Sequence, residues 1–234
     1  MHKIFGKTKH IHFIGIGGIG MSGMAELLYN HGFEVSGSDI NVSDRTNHLK
    51  SIGIKIYKGH NKKNIKKTDL IVYSSAININ NPEIETGKKN SIPIIKRAEL
   101  LGEMIKVKST SLAVSGTHGK TTTTSMIGNI LYEANLDPTI IAGGIVNKYE
   151  SNNISGSGDL IVVEADEFDK SFLSLNPTYI TLNNMELEHL DIYEDLNDLK
   201  DSFTKFANST PFYGSVCIGI DSENLKDITT NINI

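Results

Sequence analysis

Twice in this chain a short apolar run delivers a tight cluster of glycines that opens into a helical stretch. No other feature constrains the fold as much. The first cluster, Gly15-Ile16-Gly17-Gly18-Ile19-Gly20, follows the run Ile11 to Ile14. The second, Gly116-Thr117-His118-Gly119-Lys120-Thr121, follows Leu112 to Val114. A strand, a glycine turn and a helix start form the opening of a βαβ unit, and such units build parallel sheets.

The intervening sequence keeps the same rhythm. Met21 to Asn30 reads as a helix, Phe33 to Ser36 as a strand, Ser43 to Ser51 as a helix and Ile54 to Tyr57 as a strand. Leu70 to Tyr73 is another strand, Pro82 opens a helix at its first turn, and Ile92 to Ile95, broken by Pro93, reads as a strand near a sheet edge. After a polar joint at Lys106, Lys108, Ser109 and Thr110 the rhythm restarts. A long helix is expected from Lys120 to Ala134, with Met126, Ile127, Ile130 and Leu131 at helical spacing. Thr139 to Ile141, Leu160 to Val163, Thr178 to Leu182 and Ser215 to Gly219 read as strands, and Leu196 to Phe206 as an amphipathic helix. Residues 147–158, rich in Asn, Ser and Gly, read as an exposed loop.

Each glycine cluster also carries chemistry. In the first, Gly15 permits the tight turn, Gly17 lets a diphosphate approach the backbone, and Gly20 lets helix and strand pack closely. Amides at the helix start attract phosphate, and Asp39, at the end of the second strand, stands where an acidic group meets a ribose or base. Glycines that merely shape a turn, or a nicotinamide-dependent oxidoreductase, are the competing readings. Hydride transfer has no need of the second cluster. There, backbone amides can wrap phosphates, Lys120 can neutralise charge and the Thr121 hydroxyl can bind Mg²⁺. Val114 stands where the commonest phosphate-loop pattern has its first glycine, so this loop is shorter. A threonine-rich helix cap is the bland alternative, but a lysine in the first turn opposes the helix dipole unless an anion sits there.

Downstream, the apolar strand Leu160 to Val163 runs into Glu164, Asp166, Glu167 and Asp169, where a parallel sheet presents ligand-binding ends and carboxylates suit Mg²⁺. A solvated acidic turn would look the same. His189 in isolation reads as an ordinary surface or packed histidine, and so do His2, His10, His31 and His48.

Composition narrows the partners. A net charge of −4 gives no field to gather nucleic acid or an anionic membrane. The single cysteine, Cys217, forms no internal disulfide, which fits a cytosolic protein. Lys3, Lys7 and Lys9 before Ile11 to Ala25 imitate a secretory signal, but the glycines there suit a strand, turn and helix. No run of about 20 apolar residues, as a membrane span needs, is present.

Taken together, these stretches resemble the Mur ligase family. The resemblance rests on residues 11–23, Ser36-Gly37-Ser38-Asp39, Ser74-Ser75-Ala76-Ile77, Asn81-Pro82-Glu83-Ile84 and Arg97-Ala98-Glu99-Leu100-Leu101. It continues through Gly116 to Thr124, Glu164-Ala165-Asp166-Glu167, Glu188-His189-Leu190-Asp191 and Pro211-Phe212-Tyr213-Gly214. Asn183 and Phe168 depart from the residues usual at their places. The resemblance implies an ATP-dependent, amide-forming ligase of peptidoglycan precursor synthesis, with UDP-N-acetylmuramate, L-alanine and MgATP as partners. It implies that Gly15, Gly17, Gly18 and Gly20 face the diphosphate, and that Asp39, His60, Ser74 and Ser75 line the nucleotide and sugar. Gly116, Thr117, His118, Gly119, Lys120, Thr121 and Thr122 would cradle ATP, and Thr121, Glu164 and His189 would hold Mg²⁺, reversing the bland reading of His189.

The expected fold class is α/β. Residues 1–107 form a Rossmann-like UDP-sugar-binding domain with a mainly parallel sheet. Residues 108–234 form the first part of a P-loop-type ATP-binding domain. Members of the family are roughly twice this length, so the rest of that domain and a third one are expected beyond this sequence, and this stretch alone is expected to be inactive.

Overall fold

A computed structural model describes residues 5–146, 151–188 and 191–234. The chain divides into two units, Met1–Leu100 and Leu101–Ile234. In the first, β1 (His10–Ile14), β2 (Glu34–Asp39), β3 (Lys55–Lys58), β4 (Leu70–Tyr73) and β5 (Ile94–Lys96) form a five-stranded sheet of order β3-β2-β1-β4-β5. Every pairing in it is parallel. β1 lies at the centre and all its residues are buried, as a strand covered on both faces requires.

Local signals set the helices between these strands. α1 (Ile19–Asn30) buries Met24, Ala25 and Leu28. α2 (Asp44–Ser51) starts in a capping box: the Thr46 N–H donates to Ser43 Oγ, and the Ser43 N–H donates to Thr46 Oγ1. A cap of this kind stabilises a helix by about 1 kcal/mol. α3 (Pro82–Lys89) combines an Asn81 cap, proline at its first position, acidic residues in the first turn and lysines in the last. Gly37 is required by packing, because a Cβ there would come within 2.7 Å of the Phe13 carbonyl and 2.5 Å of Ile16 Cδ1. The small residue lets the first glycine loop lie directly on β2.

The division between the units falls inside α4 (Arg97–Ile105), a helix the sequence reading left out although Leu100, Leu101, Met104 and Ile105 are all buried. In the second unit, β6 (Thr110–Ser115), β7 (Thr139–Val146), β8 (Ser151–Ile154), β9 (Leu160–Glu164), β10 (Tyr179–Leu182) and β11 (Ser215–Ile218) form a six-stranded sheet of order β11-β10-β6-β9-β7-β8. β8 runs antiparallel to β7, and the other pairings among the described residues are parallel. Its helices are α5 (Lys120–Glu133), α6 (Leu196–Ala207) and α7 (Glu223–Ile228).

One expectation changes here, and α5 forms where it was expected. The stretch read as a loop contains β8, whose residues pair with Ile140, Ile141 and Val146, while residues 147–150 lie outside the described chain. The face of α5 marked by Met126 and Ile130 is exposed, at 62% and 66%. The helix instead buries Thr124 and Gly128. A Cβ on Gly128 would press on Ile140 Cδ1 and meet its Cγ1 at 3.0 Å, so that side chain would have to move. Closeness to the sheet, rather than hydrophobicity, selects the buried face.

Candidate functional site

Each unit carries one glycine loop at the C-terminal end of its strands, the edge where open α/β sheets bind ligands. In the first unit the loop leaves β1 and turns at Gly15, whose φ of +81° favours glycine. The Gly15 and Ile16 amides donate to the Ser38 carbonyl at 2.8 and 3.1 Å. The Gly17 amide donates to Asp39 Oδ2 at 2.8 Å, and a Cβ on Gly17 would press on that same oxygen. Gly18 caps α1 without any side-chain hydrogen bond, a kind of helix start that suits an anion. Ser74 packs against Gly15 after β4, and Ser75 follows it in an exposed turn. Asp39 also borders a cavity of about 130 Å³ lined by Val42, Thr46, Ile56 and Tyr57.

Two cations reach this loop that the residue-level reading passed over. Arg45 Nε donates to the Gly17 carbonyl at 2.8 Å. A Cβ on Gly20 would meet Arg97 Nη1 at 3.2 Å. The signal was in the composition: Arg45 and Arg97 are the only arginines in the sequence. His60, two residues beyond β3, has its Nδ1 2.9 Å from Ser38 Oγ, so it stands at the same edge as the loop.

In the second unit β6 ends at Ser115, Gly116 turns the chain at φ +139°, and Gly119 caps α5 at φ +76°. Thr117 and His118 donate their amides to Asn184, to its carbonyl at 3.2 Å and to its side-chain oxygen at 2.8 Å. Lys120 folds back over the loop. Its Nζ donates to the Gly116 carbonyl at 2.8 Å, the Thr117 carbonyl at 3.2 Å and Glu167 Oε2 at 2.8 Å. Burial raises the pKa of Glu167, and the bond from Lys120 only partly offsets this. Tyr193, itself buried, donates its hydroxyl to the Glu167 carbonyl at 2.6 Å. Thr122 lies exposed in the first turn of α5.

Thr121 Oγ1 donates to Glu164 Oε2 at 2.8 Å, and the same oxygen accepts the Gly143 amide at 2.8 Å. A hydroxyl and a carboxylate meeting at a phosphate-type loop give the hard oxygen donors that Mg²⁺ prefers, so the residues present fit that ion. His189, the third ligand expected from the resemblance, lies outside the described residues. Just before it, Glu186 and Glu188 bring ligand atoms within 4.8 Å of each other and of one from His118. That exposed trio could also serve a divalent cation.

Comparison with known proteins fits this geometry. The sequence profile of the Mur ligase family catalytic domain matches residues 10–109, and that of the Mur ligase middle domain matches residues 114–234. The chain belongs to the Mur ligase family, which sets aside the oxidoreductase reading of the first loop. It is 52% identical over 227 residues to the UDP-N-acetylmuramate–L-alanine ligase of Persephonella marina, covering 97% of this chain and 49% of that one. The ligase of the same name from Syntrophus aciditrophicus is 49% identical over 226 residues, covering 97% and 47%. Among solved structures, the UDP-N-acetylmuramate-alanine ligase of Thermotoga maritima aligns with a TM-score of 0.85 at 33% identity, over 94% of this chain and 51% of that one. A UDP-N-acetylmuramate:L-alanyl-gamma-D-glutamyl-meso-diaminopimelate ligase from Neisseria meningitides gives 0.86 at 30% identity, over 94% and 74%. The chain thus spans about half the length of the curated relatives it matches. No helix among the described residues is long and apolar enough to cross a membrane.

Proposed function

We propose that this chain provides the UDP-sugar-binding and ATP-binding parts of a cytoplasmic ligase that joins L-alanine to the carboxylate of UDP-N-acetylmuramate. The observation that carries the reading is the convergence of Lys120, Thr121 and Glu164 on one short loop, in a chain whose other unit holds a separate diphosphate-type loop. The first loop and its two arginines bind the UDP-sugar. The second loop wraps the phosphates of ATP, and Lys120 leaves Glu167 to meet the terminal phosphate. Thr121 and Glu164, joined by His189, would hold Mg²⁺, which offsets negative charge when bound.

The substrate carboxylate attacks the γ-phosphorus of ATP, the bond to ADP breaks, and an acyl phosphate forms. The amino group of L-alanine then attacks the acyl carbon and loses a proton. Inorganic phosphate departs and an amide remains. No protein nucleophile takes part, so positioning and charge stabilisation are the protein's contributions.

Calorimetric titration of the chain with UDP-N-acetylmuramate and, separately, with MgATP tests the reading. Binding of both is expected. Binding of the UDP-sugar with no response to MgATP would support a nucleotide-sugar-binding module instead, and binding of neither would overturn the reading.

A further inference from the structure

Beneath the first glycine loop runs a line of buried polar side chains that a parallel sheet does not need for its hydrogen bonding. His10 and His12 on β1, Ser36 and Ser38 on β2 and Glu83 on α3 are all buried, and His12, Ser38 and Glu83 wholly so. His10 Nδ1 faces the Lys67 carbonyl at 3.1 Å, and His10 Nε2 faces Ser36 Oγ at 2.8 Å. The same oxygen is 2.8 Å from His12 Nδ1, and His12 Nε2 faces Glu83 Oε2 at 3.6 Å. On its other side Glu83 Oε2 accepts the Ser38 hydroxyl at 2.5 Å, and Ser38 Oγ meets His60 Nδ1. Asn64 Nδ2 and the Asn61 amide donate to Glu83 Oε1 at 2.6 and 3.3 Å.

The hydrogens in this line can be counted. The Lys67 carbonyl at one end and the Glu83 carboxylate at the other only accept. Three of the four gaps between them are hydrogen bonds, and the fourth, from His12 Nε2 to Glu83 Oε2, is a 3.6 Å contact within ion-pair reach; only a hydrogen in every gap keeps two acceptors from facing each other. Two neutral imidazoles and one hydroxyl supply three. Filling the fourth takes one further proton. Without it His12 Nε2, which has no hydrogen-bond partner, would aim a bare lone pair at a carboxylate oxygen away from water. Burial pushes the Glu83 pKa up, but His12 beside it and the hydrogen bonds from Ser38 and Asn64 outweigh this and leave the group below its ordinary value. A carboxylate that accepts from Ser38, Asn64 and the Asn61 amide is arranged to stay ionised, which puts the further proton on the imidazole side of the contact. Around the line, Tyr57 of β3 packs with its ring centroid 6.2 Å from that of His12, and Asp69 accepts the Lys9 and His10 amides.

We propose that His10, His12 and Glu83 are positioning residues for the nucleotide-sugar: the histidine pair holds one buried proton that balances Glu83, and Glu83, through Ser38, fixes the tautomer of His60. Ser38 has a single hydrogen and gives it to Glu83, so its oxygen can only accept from His60. His60 Nδ1 then carries the hydrogen, and Nε2 is left as an acceptor at the ligand edge of the sheet. There it suits an N–H or O–H group of a nucleotide-sugar. The role of His60 rests on the reading of that edge as the UDP-sugar site; the proton count does not.

The test uses the 234-residue chain labelled with ¹⁵N-histidine, together with calorimetric titration of UDP-N-acetylmuramate. Near neutral pH, one imidazolium shared by His10 and His12 is expected, along with a neutral His60 protonated at Nδ1. Glu83→Gln removes the imidazolium signal and weakens UDP-N-acetylmuramate binding about tenfold. Ser38→Ala, a smaller change that guards against misfolding of the first variant, keeps the imidazolium, releases the His60 tautomer and weakens binding by a similar factor. A merely structural network would not separate those two spectra. Neutral rings for both His10 and His12 in the unaltered chain would overturn the proton count. Unchanged affinity in both variants would overturn the positioning role. Absence of any binding to the unaltered chain would overturn the UDP-sugar reading and the His60 role with it, while the ring-nitrogen spectrum still decides the buried proton.

Discussion

The two glycine loops start from one plan and differ in where their positive charge comes from. In the first, the loop is fixed by its neighbours: the Ser38 carbonyl holds the Gly15 and Ile16 amides, Asp39 holds that of Gly17, and two arginines approach from outside. In the second, the cation belongs to the loop itself, and Lys120 sits on the Gly116 and Thr117 carbonyls and on Glu167. A planar guanidinium matches phosphate oxygens in a set geometry, whereas an ammonium is a point charge that can change partners. On the proposed reading, the first loop would hold a diphosphate still and the second would follow a phosphoryl group as its charge moves.

The largest test of that contrast is Lys120→Ala. It is expected to weaken MgATP binding about 100-fold, the loss of a charged hydrogen bond, while leaving UDP-N-acetylmuramate affinity unchanged. Paired calorimetric titrations check this, and a fall in both affinities would break the assignment of one ligand to each loop. Gly116→Ala comes next. Its φ of +139° and the Asn184 backbone 3.1 Å from an added Cβ should cost about 2 kcal/mol of stability in thermal or denaturant unfolding. Arg45→Ala is expected to weaken UDP-sugar binding about tenfold without touching MgATP, and equal affinity in variant and parent would remove Arg45 from the site.

The smallest effects concern one buried carboxylate beneath each loop. Glu83 has its pKa lowered: burial raises it, but His12 beside it and the hydrogen bonds from Ser38 and Asn64 outweigh that. Its contribution to stability is complete above the ordinary value of 4.5 and disappears as pH falls through the lower folded value. Glu167 has its pKa raised by burial, so stability linked to it is complete below 4.5 and declines as pH rises through the higher folded value. Melting curves across acid pH should therefore flatten at the low end in Glu83→Gln and at the high end in Glu167→Gln. Identical slopes in the two variants would contradict the opposite environments of these groups.

Much of this architecture was legible because strand, glycine and helix punctuate the chain locally. β4 spans Leu70–Tyr73, the expected residues, and α5 starts at Lys120, where the motif placed it. The misses have physical causes. α4 was left out because its buried residues Leu100, Leu101, Met104 and Ile105 follow β5 directly, with no turn signal between strand and helix. Residues 151–154 look like loop because Ser and Asn are poor strand formers, yet pairing with β7 makes them a strand. Of the candidate site, Lys120, Thr121 and Glu164 were each readable from their positions after strands, whereas Glu167 as the partner of Lys120 was not.

What the sequence determined by itself is the chemistry available: two phosphate-type loops, carboxylates after buried strands and a family likeness along nearly the whole chain. Those signals are local, since each depends on residues within a few positions of one another. The tertiary structure alone decided which distant groups meet. His10 and His12 on β1, Ser36 and Ser38 on β2 and Glu83 on α3 lie in separate segments, far apart in sequence. Parallel pairing of β1 with β2 brings the histidines and serines side by side, and burial then makes a single proton consequential, because water is not there to replace it.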